Sequence, residues 1–111
     1  MSVTDIIEKA LYVRSRYQKV IAGNIANVDT PGYKEKDIDF ERELASRMKG
    51  SREVEVIETP QQEGFVRLDE NTVNVEDQVV KMTENSLIFS ALVTAISKKF
   101  TLMRYVINGG R

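Results

Sequence analysis

A mainly α protein is expected, with two long terminal helices forming an antiparallel coiled-coil module around a small irregular α/β insert. Three observations carry that expectation. Apolar residues recur at helical spacing over the first 27 positions. They recur again, in alternating steps of four and three, from Val75 to Ile107. Both prolines, Pro31 and Pro60, fall between these stretches, and a helix interior does not tolerate them.

The first helix is placed at about 3–27. Ser2 and Asp5 form the Ser-x-x-Asp pattern of a capping box, and Val3, Ile6, Ile7, Ala10, Leu11, Val13, Tyr17, Val20, Ile21 and Ile25 make an apolar stripe. Asn24 and Asn27 continue the seven-residue spacing of that stripe. Each can either fix register within a helix seam or cap and turn the helix end. Lys9, Arg14, Arg16 and Lys19 give the helix a mildly basic side, which fits ordinary packing better than membrane binding because Asp5 and Glu8 lie among them.

Thr30-Pro31-Gly32-Tyr33 must then turn the chain. Pro sets φ at the second turn position, and Gly accepts the positive φ that a type II turn needs at the third. Asp39 can cap a short helix over "FERELASRMKG", with Phe40, Leu44 and Met48 on one side and Gly50 ending it. "REVEVIE" and "GFVRL" have strand character and could pair as a hairpin. Asp37, Asp39, Glu41 and Glu43 read as a solvated acidic run rather than an acid/base pair, since burial would be needed to split their pKa values.

The last helix is placed at about 75–107, opened by Asn74 with Asp77 and free of Pro and Gly until Gly109. Its first stripe holds Val75, Val79, Met82, Ser86, Phe89, Val93, Ile96, Phe100, Met103 and Ile107, with Ser86 the one polar member. A second stripe holds Val80, Leu87, Ile88, Ala91, Leu92, Ala95, Leu102, Tyr105 and Val106. A helix apolar over so wide an arc needs more than one neighbour. The N-terminal helix is expected to cover part of this surface, leaving the second stripe and a length of the helix to the middle of the chain or to other chains. The seam residues expected to carry assembly are Ile6, Leu11, Tyr17, Ile21, Val79, Phe89, Val93, Ile96, Phe100 and Met103.

Composition closes off other classes. The 111 residues suffice for one domain, read as helix over 1–27, turn and acidic insert over 28–73, and helix over 74–111. The net charge is −1, with basic ends around a middle of seven basic and twelve acidic side chains, which is no nucleic-acid footprint. There is no Cys or His, so thiolate chemistry, an imidazole base and the usual zinc ligands are missing together. No catalytic residue, cofactor or metal site is expected. The N-terminal stretch, with Asp5, Glu8 and Lys9 inside it, is expected to be neither a cleaved signal nor a membrane span.

One motif narrows the class further. "GNIANVDTPGYKEKDIDF" closely resembles the N-terminal signature of the bacterial flagellar axial proteins, the rod and hook family. Asn24, Ile25, Ala26, Asn27, Thr30, Pro31, Gly32 and Tyr33 carry it. "DENTVNVEDQVVKMTENSL" and "KKFTLMRYVINGGR" look like the tail of its proximal-rod, B-type members, while the resemblance does not extend to 41–67. The resemblance implies a structural subunit whose terminal helices pair and stack around a central channel. It also implies export through the flagellar type III apparatus without a cleaved signal, and a place in the periplasmic rod. Implied partners are other copies, other rod proteins, a FliE-type adaptor, the MS-ring and the export gate, with no nucleic acid and no direct membrane insertion. The alternatives are a C-type rod subunit and a soluble coiled-coil adaptor.

Overall fold

A computed structural model describes residues 2–50, 56–58 and 73–109. The elements run α1 (Val3–Ala26), β1 (Lys36–Asp37), α2 (Phe40–Met48), β2 (Ile57–Glu58) and α3 (Val75–Gly109). The shape is a rod of 69 × 27 × 20 Å.

Each helix begins where its sequence supplies a cap. The Ser2 hydroxyl accepts from the Asp5 N–H at 3.1 Å, and the Asp5 carboxylate accepts from the Ser2 N–H at 3.2 Å, so the capping box closes in both directions. Hydrogen bonding from the Ser2 backbone N–H, and then from the Ser2 side chain, holds the Asp5 carboxyl below its ordinary pKa. Asp39 caps α2 through the Arg42 N–H, and Asn74 caps α3 through the Asp77 N–H. Beyond α2, Gly50 takes φ 97°.

α1 and α3 pack antiparallel: Asn24 of α1 meets Gln78 of α3, and Arg14 and Gln18 meet Asn85. The apolar core beside them is small. Val13, Tyr17 and Ile21 project from one side of α1 at four-residue intervals and are buried with Ile38, while Val20, Ile25, Phe40 and Met82 close around them. Full burial of a side chain such as Ile21 contributes about 1.5–3 kcal/mol. Phe40 and Tyr17 pack edge to face with ring centroids 4.8 Å apart, and the Arg14 guanidinium lies over the Phe40 ring at 3.7 Å. Burial, aided by the Asp37 carboxylate, pushes the Tyr17 phenol above its usual pKa range, and burial pulls the Arg14 guanidinium below its own.

Four expectations need correction. The strand at Ile57–Glu58 pairs antiparallel with Lys36–Asp37; the "GFVRL" segment lies outside the described residues. Glu43 is buried at 3% exposure rather than solvated, although Asp39 and Glu41 are exposed. Met48 is exposed instead of packed. Most consequentially, α3 meets α1 along a mixed line rather than along its first apolar stripe, of which only Met82 and Ile96 take part. The residues facing α1 follow the line Gln78, Met82, Asn85, Leu92, Ile96 and Lys99, of which Gln78 and Asn85 are fully buried. The reason is polar complementarity. These two amides, one heptad apart, find partners on α1 that an apolar side chain would leave unsatisfied.

Candidate functional site

Two regions stand out: the turn segment from Asn24 to Tyr33 and the uncovered faces of α3.

Asn24 sits at the end of α1 with 1% exposure. Its Nδ2 donates to the Lys36 carbonyl and to Gln78 Oε1, both at 2.9 Å. Its Oδ1 accepts from the Lys36 N–H at 3.0 Å and from the Tyr33 hydroxyl at 3.5 Å. A side-chain amide has two donor hydrogens and two acceptor lone pairs, so this one is fully used. It bonds both backbone groups of Lys36 as a neighbouring strand would, and so fastens the chain leaving the turn onto both helices. Gln78 Nε2 donates on to Glu35 Oε1 at 2.6 Å, and Lys81 pairs with Glu35 at 3.4 Å and Asp37 at 3.8 Å. Seven residues along α3, Asn85 Nδ2 donates to the Arg14 carbonyl and to Gln18 Oε1. These two polar locks set the α1–α3 register.

Asn27 does different work. Its side chain donates to the Gly23 carbonyl at 2.8 Å and accepts from the Thr30 hydroxyl at 3.1 Å, ending the helix and tying the turn to it. The Tyr33 N–H then closes on the Thr30 carbonyl at 3.2 Å around Gly32, whose φ is 76°, as a type II turn requires. Ile25 is half-buried against the core, whereas Ala26 and Pro31 are exposed.

No atom lies within 4 Å of where a Gly32 Cβ would stand, so substitution there costs backbone strain alone. Gly32→Val is expected to lower stability by about 2 kcal/mol, while Gly32→Asn, which enters the left-handed region far more readily, loses under about 1 kcal/mol. Urea unfolding of the two variants measures the difference. Equal midpoints would remove positive φ as the reason for glycine.

The second region is a surface. Among the expected seam residues, Val79 is 50% exposed, Phe89 36%, Val93 40%, Phe100 44% and Met103 49%. Ile96, Ile6 and Leu11 are half-buried, and Tyr17 and Ile21 lie inside the single chain's own core. The second stripe is as open, with Leu87, Leu102, Tyr105 and Val106 all above 60%. Beside Phe89, a groove of about 340 Å³ runs between the helices, lined by Ser15, Gln18, Asn85, Ser86 and Ser90. The antiparallel register sets Val3 opposite about residue 98, so the last ten or so residues of α3 project some 15 Å beyond α1. By length and composition α3 could cross a membrane, a property it shares with helices covered by protein. Among the described residues no cluster of acidic side chains could hold a metal ion.

Sequence reasoning missed Gln78, Asn85 and Glu35. Gln78 and Asn85 share a heptad spacing with each other, the one local signal that could have drawn attention to them.

Comparison with known proteins bears on both regions. The profile of the family described as flagella basal body rod protein matches residues 8–34, which include all of the turn segment through Tyr33. The chain is 30% identical to the flagellar basal body rod protein FlgB of Salmonella typhimurium over 125 aligned positions, covering 93% of this chain and 91% of that relative. It is 31% identical to FlgB of Bacillus subtilis, covering 95% of this chain and 92% of the relative.

Proposed function

This chain belongs to the flagellar basal-body rod proteins of the FlgB type, and from that membership we propose that it packs into the proximal rod through the open faces of α3. It is a structural component of the flagellar basal body, not an enzyme, and it assembles with other rod proteins. The observation that carries the packing surface is the exposure of large apolar side chains along α3, reaching 72% at Val106 and 74% at Ile107. An apolar area of this extent on a soluble protein marks an interaction site.

In this reading Val79, Phe89, Val93, Phe100 and Met103 meet neighbouring subunits, with half-buried Ile96, Ile6 and Leu11 at the margin of the contact. Tyr17 and Ile21 act indirectly, by holding the helical hairpin that presents the surface. The turn at Thr30–Tyr33 leads the chain out of the helical layer into the insert. Family resemblance supports the finer placement: a rod in the periplasmic space, export through the flagellar type III apparatus without a cleaved signal, and a FliE-type adaptor, the MS-ring and the export gate as neighbours at its base.

Hydrogen exchange on the purified chain, alone and with a second rod protein, tests the surface. Alone, residues 100–109 are expected to exchange within about tenfold of an unfolded peptide, since all of them are exposed among the described residues; on assembly, amides across 79–107 are expected to slow by at least about tenfold. Unchanged protection of α3 in the presence of rod partners would overturn the proposal.

A further inference from the structure

α3 is electrically polar along its length. Its exposed charges at the start are acidic, Glu76, Asp77 and Glu84, and those toward its end are basic, Lys98 and Arg104, with half-buried Lys99 beside them. None of Glu76, Asp77, Glu84, Lys98 and Arg104 has an ion-pair partner among the described residues. Each set of charges borders open apolar surface. Val75, Val79 and Val80 lie among the acids, at 38%, 50% and 55% exposure; Phe100, Leu102 and Met103 lie among the bases, at 44%, 65% and 49%. The two strips are therefore complementary in charge and alike in greasiness, and they sit at opposite ends of one rod-shaped molecule. The basic strip is also the part of α3 that overhangs α1.

We infer that the basic overhang of one copy, residues 98–107, docks on the acidic start of α3, residues 75–84, of the next copy, head to tail. Sliding one α3 along a parallel neighbour by three heptads, about 31 Å, sets Val79 beside Phe100 and brings Asp77 to Lys98. A contact between two different patches leaves both patches available at the ends of a dimer, so it can add further copies where the rotation between them does not close a ring. The inference rests on the rod-packing reading above and adds which end of the molecule receives which.

The test uses two charge-reversed full-length chains, Lys98→Glu with Arg104→Glu and Asp77→Lys with Glu84→Lys, each checked for helix content by circular dichroism. All four positions are exposed. Sedimentation velocity is expected to show the wild-type chain forming a concentration-dependent series that shortens with added salt. Each variant alone is expected to associate at least about tenfold more weakly, and an equimolar mixture to recover wild-type association within about threefold, because every junction then joins opposite charges again. If the acidic-end pair of changes unfolds α3, the overhang variant, which lies beyond α1 at Arg104 and near its edge at Lys98, is mixed with wild type instead; there it is expected to cap growth and shorten the series. A closed wild-type dimer, wild-type association by either folded variant, no recovery on mixing, or binding of the wild-type chain to phosphatidylserine vesicles in place of self-association would each overturn the docking. Those outcomes leave rod membership standing; failure of α3 to gain protection with rod partners strikes the packing reading instead.

Discussion

Phe100→Asp is expected to abolish incorporation into basal bodies, and with it motility, while leaving the isolated chain folded. Phe100 is 44% exposed, and surface substitutions away from packed features usually change stability by less than about 0.5 kcal/mol. In an assembled apolar contact the same change buries an unpaired carboxylate, at a cost of several kcal/mol. Each 1.4 kcal/mol is about a factor of ten in affinity, so incorporation should fall by a hundredfold or more. Thermal unfolding of the purified variant, immunoblots of isolated basal bodies and a swarm assay separate the two effects. A variant that melts like wild type and swims normally would remove Phe100 from any assembly contact.

Asn24→Ala is expected to have the largest effect on the single chain. It strands the Lys36 N–H and carbonyl, the Gln78 carbonyl oxygen and the Tyr33 hydroxyl, all now bonded to one side chain. A buried group left unsatisfied costs about 1–3 kcal/mol. Some of these groups will find water, so a net loss of about 3 kcal/mol is expected, or a fall in melting temperature of on the order of 10 °C. Asn24→Asp should be nearly as harmful. It removes both donors and sets a second carboxylate near Glu35, which Gln78 already bonds. A loss below about 1 kcal/mol for Asn24→Ala, read from denaturant unfolding, would show that the amide does not clamp the turn segment to the helices.

The helices were legible from the chain because their signals are local. Ser2, Asp39 and Asn74 each cap through the N–H three residues on, and the observed bounds Val3–Ala26, Phe40–Met48 and Val75–Gly109 follow closely from those caps and the apolar spacing. The turn was legible for the same reason, since Pro31 and Gly32 determine their own backbone angles. The double reading of Asn24 and Asn27 was resolved by environment. Asn24 joins the helix seam and Asn27 ends the helix, because at their spacing on α1 only Asn24 points between the helices.

Partner choice was not legible. The pairing of Ile57–Glu58 with Lys36–Asp37 depends on where α1 and α3 deliver the two segments. The face that α3 turns to α1 was misread, because Gln78 and Asn85 look like solvated polar residues until their partners are known. Those partners lie as far away as Asn24, 54 residues off, and Arg14, 71 residues off. The first apolar stripe was expected to supply the inner seam, yet only Met82 and Ile96 of it face α1, and most of both stripes stays outside.

By itself, then, the sequence determined a helical hairpin, its caps, its turn and a surplus of apolar helix surface, since these rest on propensities and spacings within a few residues. Only the tertiary structure decided which surface is surplus. Buried amides must be matched donor to acceptor across the interface, whereas apolar side chains need only a covering surface, so the line holding Gln78 and Asn85 went inward and most of the apolar surface of α3 stayed outside.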